Sequence, residues 1–183
     1  MNSLLVMLLT IGIILIKIFW INTEIRYFKN RLNFEMFKTN FIELVILVSQ
    51  IFVVYYFPLP RTPYDFVISS LGIIMYVLGM GFAVWARITM NKVWGVPGEF
   101  SQNQTHFVTT GPFQISRNPI YLGFIFIYFG FAIAINSWLI FLRIPLLIYF
   151  YKAAKIEEKI LEKKFGKKYL TYKSKTPRFL LGV

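Results

Sequence analysis

The chain has no cysteine, one histidine and only eight acidic residues in 183. Without cysteine there is no disulfide, no thiolate metal site and no thiol nucleophile. A single histidine, His106, leaves no basis for a histidine metal cluster or an imidazole relay. Charged residues make up only 15% of the chain, whereas soluble domains carry about a quarter. Flexible linkers, low-complexity tracts and internal repeats are also lacking, so one compact bundle is expected.

What is present is apolar. Hydrophobic residues make up 57% and aromatics 19%, and the mean hydropathy is +0.60. These residues cluster in long runs, which predicts an all-α integral membrane bundle. Spans are expected near 3–21, 41–58, 64–86, 119–135 and 137–151. The first lacks a basic leader and a small-x-small cleavage site, and Phe19-Trp20 reads as an interfacial anchor, so it is taken as a retained span. "FPLPRTP" closes the second, because proline cannot continue a helix. Asn136-Ser137 joins the last two as a tight antiparallel hairpin. The fifth is expected to run on helically through "KAAKIEEKILEKKFG" to a stop at Gly166. Ala153, Ile156, Ile160, Leu161 and Phe165 recur there at helical spacing. Gly72, Gly79 and Gly81 read as close-packing positions. The chain is thus read as one membrane domain: spans in 1–86, a loop at 87–118, the hairpin at 119–151 and a basic tail at 152–183.

The net charge of +12 would point to nucleic acid in a soluble protein. Here the basic residues flank apolar runs, so the expected partner is the bilayer and its anionic headgroups, with no nucleic acid and no obligate protein partner. Lysine and arginine number four in 22–40, three in 87–118 and ten in 152–183, against Arg61 alone on the other side. The positive-inside rule then places the N-terminus outside and the 87–118 loop and tail in the cytoplasm, so the Asn103 sequon is not a glycosylation site. Lys17 and Arg143 fall within spans and are read as snorkelling outward.

One stretch asks for a chemical reading. "SRNPIYLG" (116–123) opens a run of 25 uncharged residues, Asn118 to Leu142. Asn118 is a good N-cap and Pro119 a good first helical residue, so an ordinary helix start accounts for those two. Arg117 and Tyr121 are four apart, a spacing that puts a guanidinium and a phenol on one helix face at a positive dipole end. That arrangement suits an anionic group such as a carboxylate. Glu157 and Glu158 lie about 100° apart around a helix, so they cannot both face one point. A solvated acidic pair in a lysine-rich helix is the alternative. Tyr169 and Tyr172 read as a tail cluster or as a headgroup-level aromatic belt.

In order and spacing, "HFVTTGPF" (106–113), "SRNPIYLG" and "EEKILEKKFGKKYLTYKSKTPRF" (157–179) resemble the isoprenylcysteine carboxyl methyltransferase and phospholipid methyltransferase superfamily of membrane enzymes. The resemblance covers the C-terminal 45% or so of the chain. It implies methyl transfer from S-adenosyl-L-methionine to a lipidic or small hydrophobic acceptor at the cytoplasmic face. It also implies cofactor contacts from His106, Val108, Gly111, Pro112, Phe113, Asn118, Pro119, Glu157 and Glu158, with Arg117 and Tyr121 in catalytic positions. Two departures stand out. Asn118 replaces the family's common histidine, and Phe113 replaces its usual tyrosine. "NKVWGVPGEF" (91–100) reads as a re-entrant or lid segment beside the cofactor. Carboxylate, amine, thiol and phenol acceptors all stay open. So do an NADPH-dependent reductase of the sterol reductase type and a non-enzymatic transporter or assembly protein. A transporter, however, should show polar or broken helices at mid-membrane.

The absence of native cysteine makes the topology directly testable. Single cysteines at Gln104 and Lys175 should be labelled only from the cytoplasmic side of sealed vesicles. Labelling of either from outside would overturn the orientation.

Overall fold

The computed structural model describes residues 3–27, 62–90 and 106–180, with isolated positions at 45, 49, 52, 53, 56 and 60. The expected second span and "NKVWGVPGEF" fall outside those stretches. All regular elements among the described residues are helices. They are α1 (Ser3–Tyr27), α2 (Asp65–Met90), a short 3-10 turn (Gly111–Gln114), α3 (Pro119–Ala134), α4 (Leu139–Leu142), α5 (Ile144–Phe165) and α6 (Lys167–Lys173).

At 25 and 26 residues, α1 and α2 are each nearly 40 Å long by helical rise, more than the roughly 30 Å hydrocarbon core requires. Among the described residues these two alone have both the length and the composition to cross a membrane; α3 is apolar but shorter. Their apolar side chains point outward as well as inward: Leu4, Leu8, Leu15, Phe66, Leu71 and Leu78 are all exposed. Such a continuous apolar surface is stable against lipid and not against water.

The chain divides into two compact units, Met1–Ile73 with Gly130–Leu142 and Ile74–Phe129 with Arg143–Val183. In the first, Asp65 anchors the start of α2. Its Oδ1 accepts the Thr62 amide at 3.0 Å and hydroxyl at 2.6 Å, and Asn136 Nδ2 at 3.0 Å. Asn136 has φ 46, a left-handed conformation that asparagine tolerates better than most residues, and α3 has ended just before it. Gly72 meets α3 backbone to backbone, since a Cβ there would stand 2.2 Å from the Ala134 nitrogen.

In the second unit the same device recurs twice. A Cβ on Gly79 would lie 2.7 Å from the Ile127 nitrogen, and one on Gly123 would lie 2.8 Å from the Ala83 nitrogen. Gly81 is exposed, and among the described residues nothing lies within 4 Å of a Cβ built there, so the expected close packing falls to Gly72 and Gly79 and not to Gly81. Along α5, Phe150, Ala154 and Glu158 form the buried face, whereas Ile156 points outward. The apolar periodicity named the wrong residue because an ion cluster, described below, fixes the helix rotation.

The expected 137–151 span is not one helix. A single turn, α4, ends at Leu142, and α5 begins at Ile144 with Arg143 as its N-cap and Pro145 in its first turn. Proline lacks the N–H that would bond residue 141 and clashes with the preceding turn, so the break falls where proline is tolerated. Arg143 does not snorkel: it is 4% exposed, with its guanidinium carbon 5.3 Å from the Tyr128 ring centroid. Arg87, in the last turn of α2, is buried too.

Glycine substitutions test this packing. Gly79→Ala should lower stability by about 1–3 kcal/mol, the usual cost of overpacking. Gly81→Ala should be neutral or stabilising, since alanine is the better helix former. Thermal unfolding in detergent will rank them; equal effects would refute the close contact at Gly79.

Candidate functional site

The "SRNP" segment does not end at its own helix; it grips the tail. The Arg117 amide donates to the Pro177 carbonyl at 2.8 Å. The Ser116 hydroxyl donates to the Arg178 carbonyl at 2.9 Å and accepts the Asn118 amide at 3.1 Å. Arg117 Nη1 donates to the Lys173 carbonyl at 2.8 Å and also to that of Thr176. Its Nη2 reaches Glu158 Oε2 at 3.2 Å.

Glu158 is the centre of this arrangement. Arg178 meets it as a fork, Nε to Oε1 at 2.8 Å and Nη2 to Oε2 at 3.0 Å. Asn118 Nδ2 adds a bond to Oε1 at 3.0 Å and another to the Arg178 carbonyl at 3.3 Å. The side-chain amide thus faces two acceptors, which fixes its orientation. Glu158 is 3% exposed. Burial alone would raise its pKa, but the hydrogen bonds from Arg178 and the charge and bond of Arg117 hold it below the usual carboxylate range. A buried carboxylate is tolerable only when paired and fully hydrogen-bonded, and this one is both.

Its neighbour has a different environment. Glu157 accepts the Tyr121 hydroxyl and, among the described residues, has no cation to pair with. Burial, and then the charge of Glu158, push its pKa up to about 7 against the opposing Tyr121 bond. Tyr121 stacks on Phe150 at 5.3 Å, and Phe124 lies parallel to Phe150 at 6.3 Å. One acid is therefore paired with two arginines, and the adjacent one meets no cation among the described residues.

The tail is pinned by rings as well as ions. Phe107 packs on Phe165, Tyr169 and Tyr172 at 4.9, 5.4 and 5.7 Å. Tyr169 is 1% exposed, and the Tyr172 hydroxyl donates to the Phe113 carbonyl at 2.6 Å. The aromatic-belt alternative for these tyrosines is thereby set aside. Gly166, at φ 52, separates α5 from α6 where the sequence placed a stop.

The other expected site residues divide into core and surface. Val108 packs against Ala86, Met90 and Phe113. Pro112 and Pro119 are buried, whereas His106 is exposed. Gly111 has φ 60 and sits where a Cβ would come within 3.3 Å of Thr89 Oγ1 and 3.5 Å of Trp85. Arg117 and Tyr121 do not act as one helix face: Arg117 precedes α3 and turns to the tail, and Tyr121 turns to Glu157. Glu157 and Glu158 do both engage the 117–121 segment, through different partners. Arg178 and Ser116 have no role assigned from sequence, although both lie inside the quoted motifs.

Two long apolar helices with a buried carboxylate–arginine cluster between a helix start and a basic tail define a membrane-associated helical protein with a built polar site. A family model described as phospholipid methyltransferase matches residues 67–168, more than half of the chain. The protein belongs to that phospholipid methyltransferase family, which points to methyl transfer to a lipid substrate. The matched stretch contains the 116–121 segment and both glutamates but ends before Arg178. No curated protein matches the chain.

The two glutamates should separate cleanly by stability. Glu158→Ala leaves Arg117 buried without its charge partner and should cost about 3–5 kcal/mol. Its contribution is present above the usual carboxylate range and lost only as pH falls through its depressed pKa. Glu157 has the opposite sign. The folded form keeps a proton that the unfolded chain has released, so stability should decline as pH rises from the usual carboxylate range towards about 7. Glu157→Gln should abolish that decline without lowering stability. Unfolding midpoints across pH 4 to 8 check both signs.

Proposed function

We propose that the chain transfers a methyl group from S-adenosyl-L-methionine to a lipid acceptor at the cytoplasmic membrane face, with Glu157 and Tyr121 as the polar pair that meets the ligands. The observation carrying this reading is the asymmetry between the glutamates. Glu158 has its cations, and Glu157 has only a phenol. A half-buried acid without a counter-ion beside stacked aromatic rings suits a ligand with an ammonium, ribose hydroxyls and a sulfonium. The donor set therefore fits that cofactor. When bound, it supplies an electrophilic methyl group on sulfur.

The residues then have distinct tasks. Glu157 accepts the ammonium or the ribose hydroxyls. Tyr121 and Phe150 offer ring faces, which attract a sulfonium through the aromatic quadrupole. The Tyr121 hydroxyl orients the acceptor once Glu157 has changed partner. Val108 packs on Ala86, Met90 and Phe113, and Gly111 lies beside Trp85; in this reading these residues, with Pro112, supply an apolar wall for the adenine. Arg117, Asn118 and Glu158 act as positioning residues that hold the tail over the helix start. Displacement at a methyl group needs alignment and a dry site more than a strong base. Among open acceptors the family match favours a phospholipid amine.

Calorimetric titration with the cofactor and its demethylated product, plus labelled-methyl transfer to phosphatidylethanolamine and lipid extracts, tests the reading. Losing a charge-assisted hydrogen bond corresponds to about 1.5–3 kcal/mol, so Glu157→Gln should weaken cofactor binding roughly tenfold or more at unchanged stability. Arg117→Lys should lower the unfolding temperature, because lysine cannot reproduce the planar fork. Wild-type affinity in Glu157→Gln would remove Glu157 from the site. No cofactor binding by the wild type would end the proposal.

A further inference from the structure

Arg143 is a buried cation that nothing in the ion cluster explains. It lies at the α4–α5 break, 4% exposed, and both its Nε and its Nη2 are buried without a hydrogen-bond partner among the described residues. Those two N–H groups form one edge of the guanidinium, the edge that grips a carboxylate or phosphate with two parallel bonds. Its guanidinium lies over the face of Tyr128, at 5.3 Å. A ring face attracts the charge but leaves in-plane N–H groups unmet. Burying a charge in this state is costly unless an anion completes it. Arg143 also caps the 22-residue α5, whose N-terminal dipole adds to the pull on an anion.

The surroundings specify where that anion comes from. Phe141, Leu142, Ile144, Leu147 and Ile148 are all exposed apolar side chains flanking Arg143 in the chain. In a membrane-associated protein such a surface faces hydrocarbon, which free aqueous ions do not enter. We infer that Arg143 holds the oxyanion of a bound membrane lipid, a phosphodiester or a carboxylate, through its Nε–Nη2 edge. This lipid is distinct from the methyl acceptor. Arg143 sits against Tyr128, whereas Glu157 sits against Tyr121, two turns away along α3 or roughly 10 Å. The ethylene bridge of a phosphoethanolamine headgroup is too short to place its phosphate at one and its amine at the other. The inference does not rest on the assigned reaction.

The full-length chain, purified from membranes in mild detergent, is compared with Arg143→Met and Arg143→Lys by mass spectrometry of retained lipid. Wild type should keep an acidic or zwitterionic lipid in stoichiometric amount, and Arg143→Met should lose it. Arg143→Lys, with the charge but not the fork, should retain it about tenfold less well or worse. After delipidation, phosphatidylglycerol, oleate, diacylglycerol and inorganic phosphate are added separately and unfolding temperatures are read. A rise with phosphatidylglycerol or oleate that Arg143→Met lacks supports the site and tells phosphodiester from carboxylate. Equal retention in all three proteins, an equal rise with diacylglycerol, or a rise with inorganic phosphate alone overturns it. So does greater stability of Arg143→Met than wild type in the presence of every lipid, since a charge with no partner is best removed.

Discussion

Everything around the site depends on burying one carboxylate. Glu158 lies at the contact of three pieces of chain far apart in sequence: the 116–118 segment, the middle of α5 and the 173–178 tail. An unpaired carboxylate there would be prohibitive, and four donor groups from Arg117, Asn118 and Arg178 remove that cost together. The same bonds fix the rotation of α5, so Phe150 and Ala154 point inward and Ile156 does not. They also fix the tail, whose Lys173 and Thr176 carbonyls accept Arg117 Nη1 and whose Pro177 carbonyl accepts the Arg117 amide.

Rotation has a chemical consequence at the next residue. With Glu158 locked to arginines, Glu157 is turned about 100° away, to the side where Tyr121 and Phe150 lie. Adjacent identical residues thus acquire opposite electrostatic character, one held ionised by cations and one pushed towards neutrality by burial. A pair of like groups whose environments drive their pKa values apart is a common mark of divided roles.

The sequence conveyed much of this and missed some for definable reasons. Apolar run length identified α1, α2 and α3 because hydropathy is a sum over many residues and tolerates local error. Gly166 and Pro119 were legible because glycine and proline act through their own backbone. Pro145 carried the same kind of signal for the break at Arg143, but the apolar run around it masked a polar break. The burial of Arg143 and Arg87 was not legible, since a charged residue near a span end fits snorkelling equally well. Gly81 was indistinguishable from Gly79 by composition; only the facing helix separates them. Arg117 and Glu158 were singled out as polar residues in the right order. Their mutual pairing, and the part of Arg178, depended on a tail geometry that periodicity does not encode.

The separation of the cluster's members along the chain also bears on synthesis. Arg117 is made 41 residues before Glu158, and Arg178 follows 20 residues later. A nascent chain inserting into a membrane therefore carries the arginine, then the acid, while the second arginine and the accepting carbonyls are still inside the ribosome. Until residue 178 emerges, the Arg117–Glu158 pair lacks its second arginine. The fork from Arg178 to Glu158 can form only after residue 178 has been made. A chain arrested before residue 178 would carry the buried acid with one arginine in place of two.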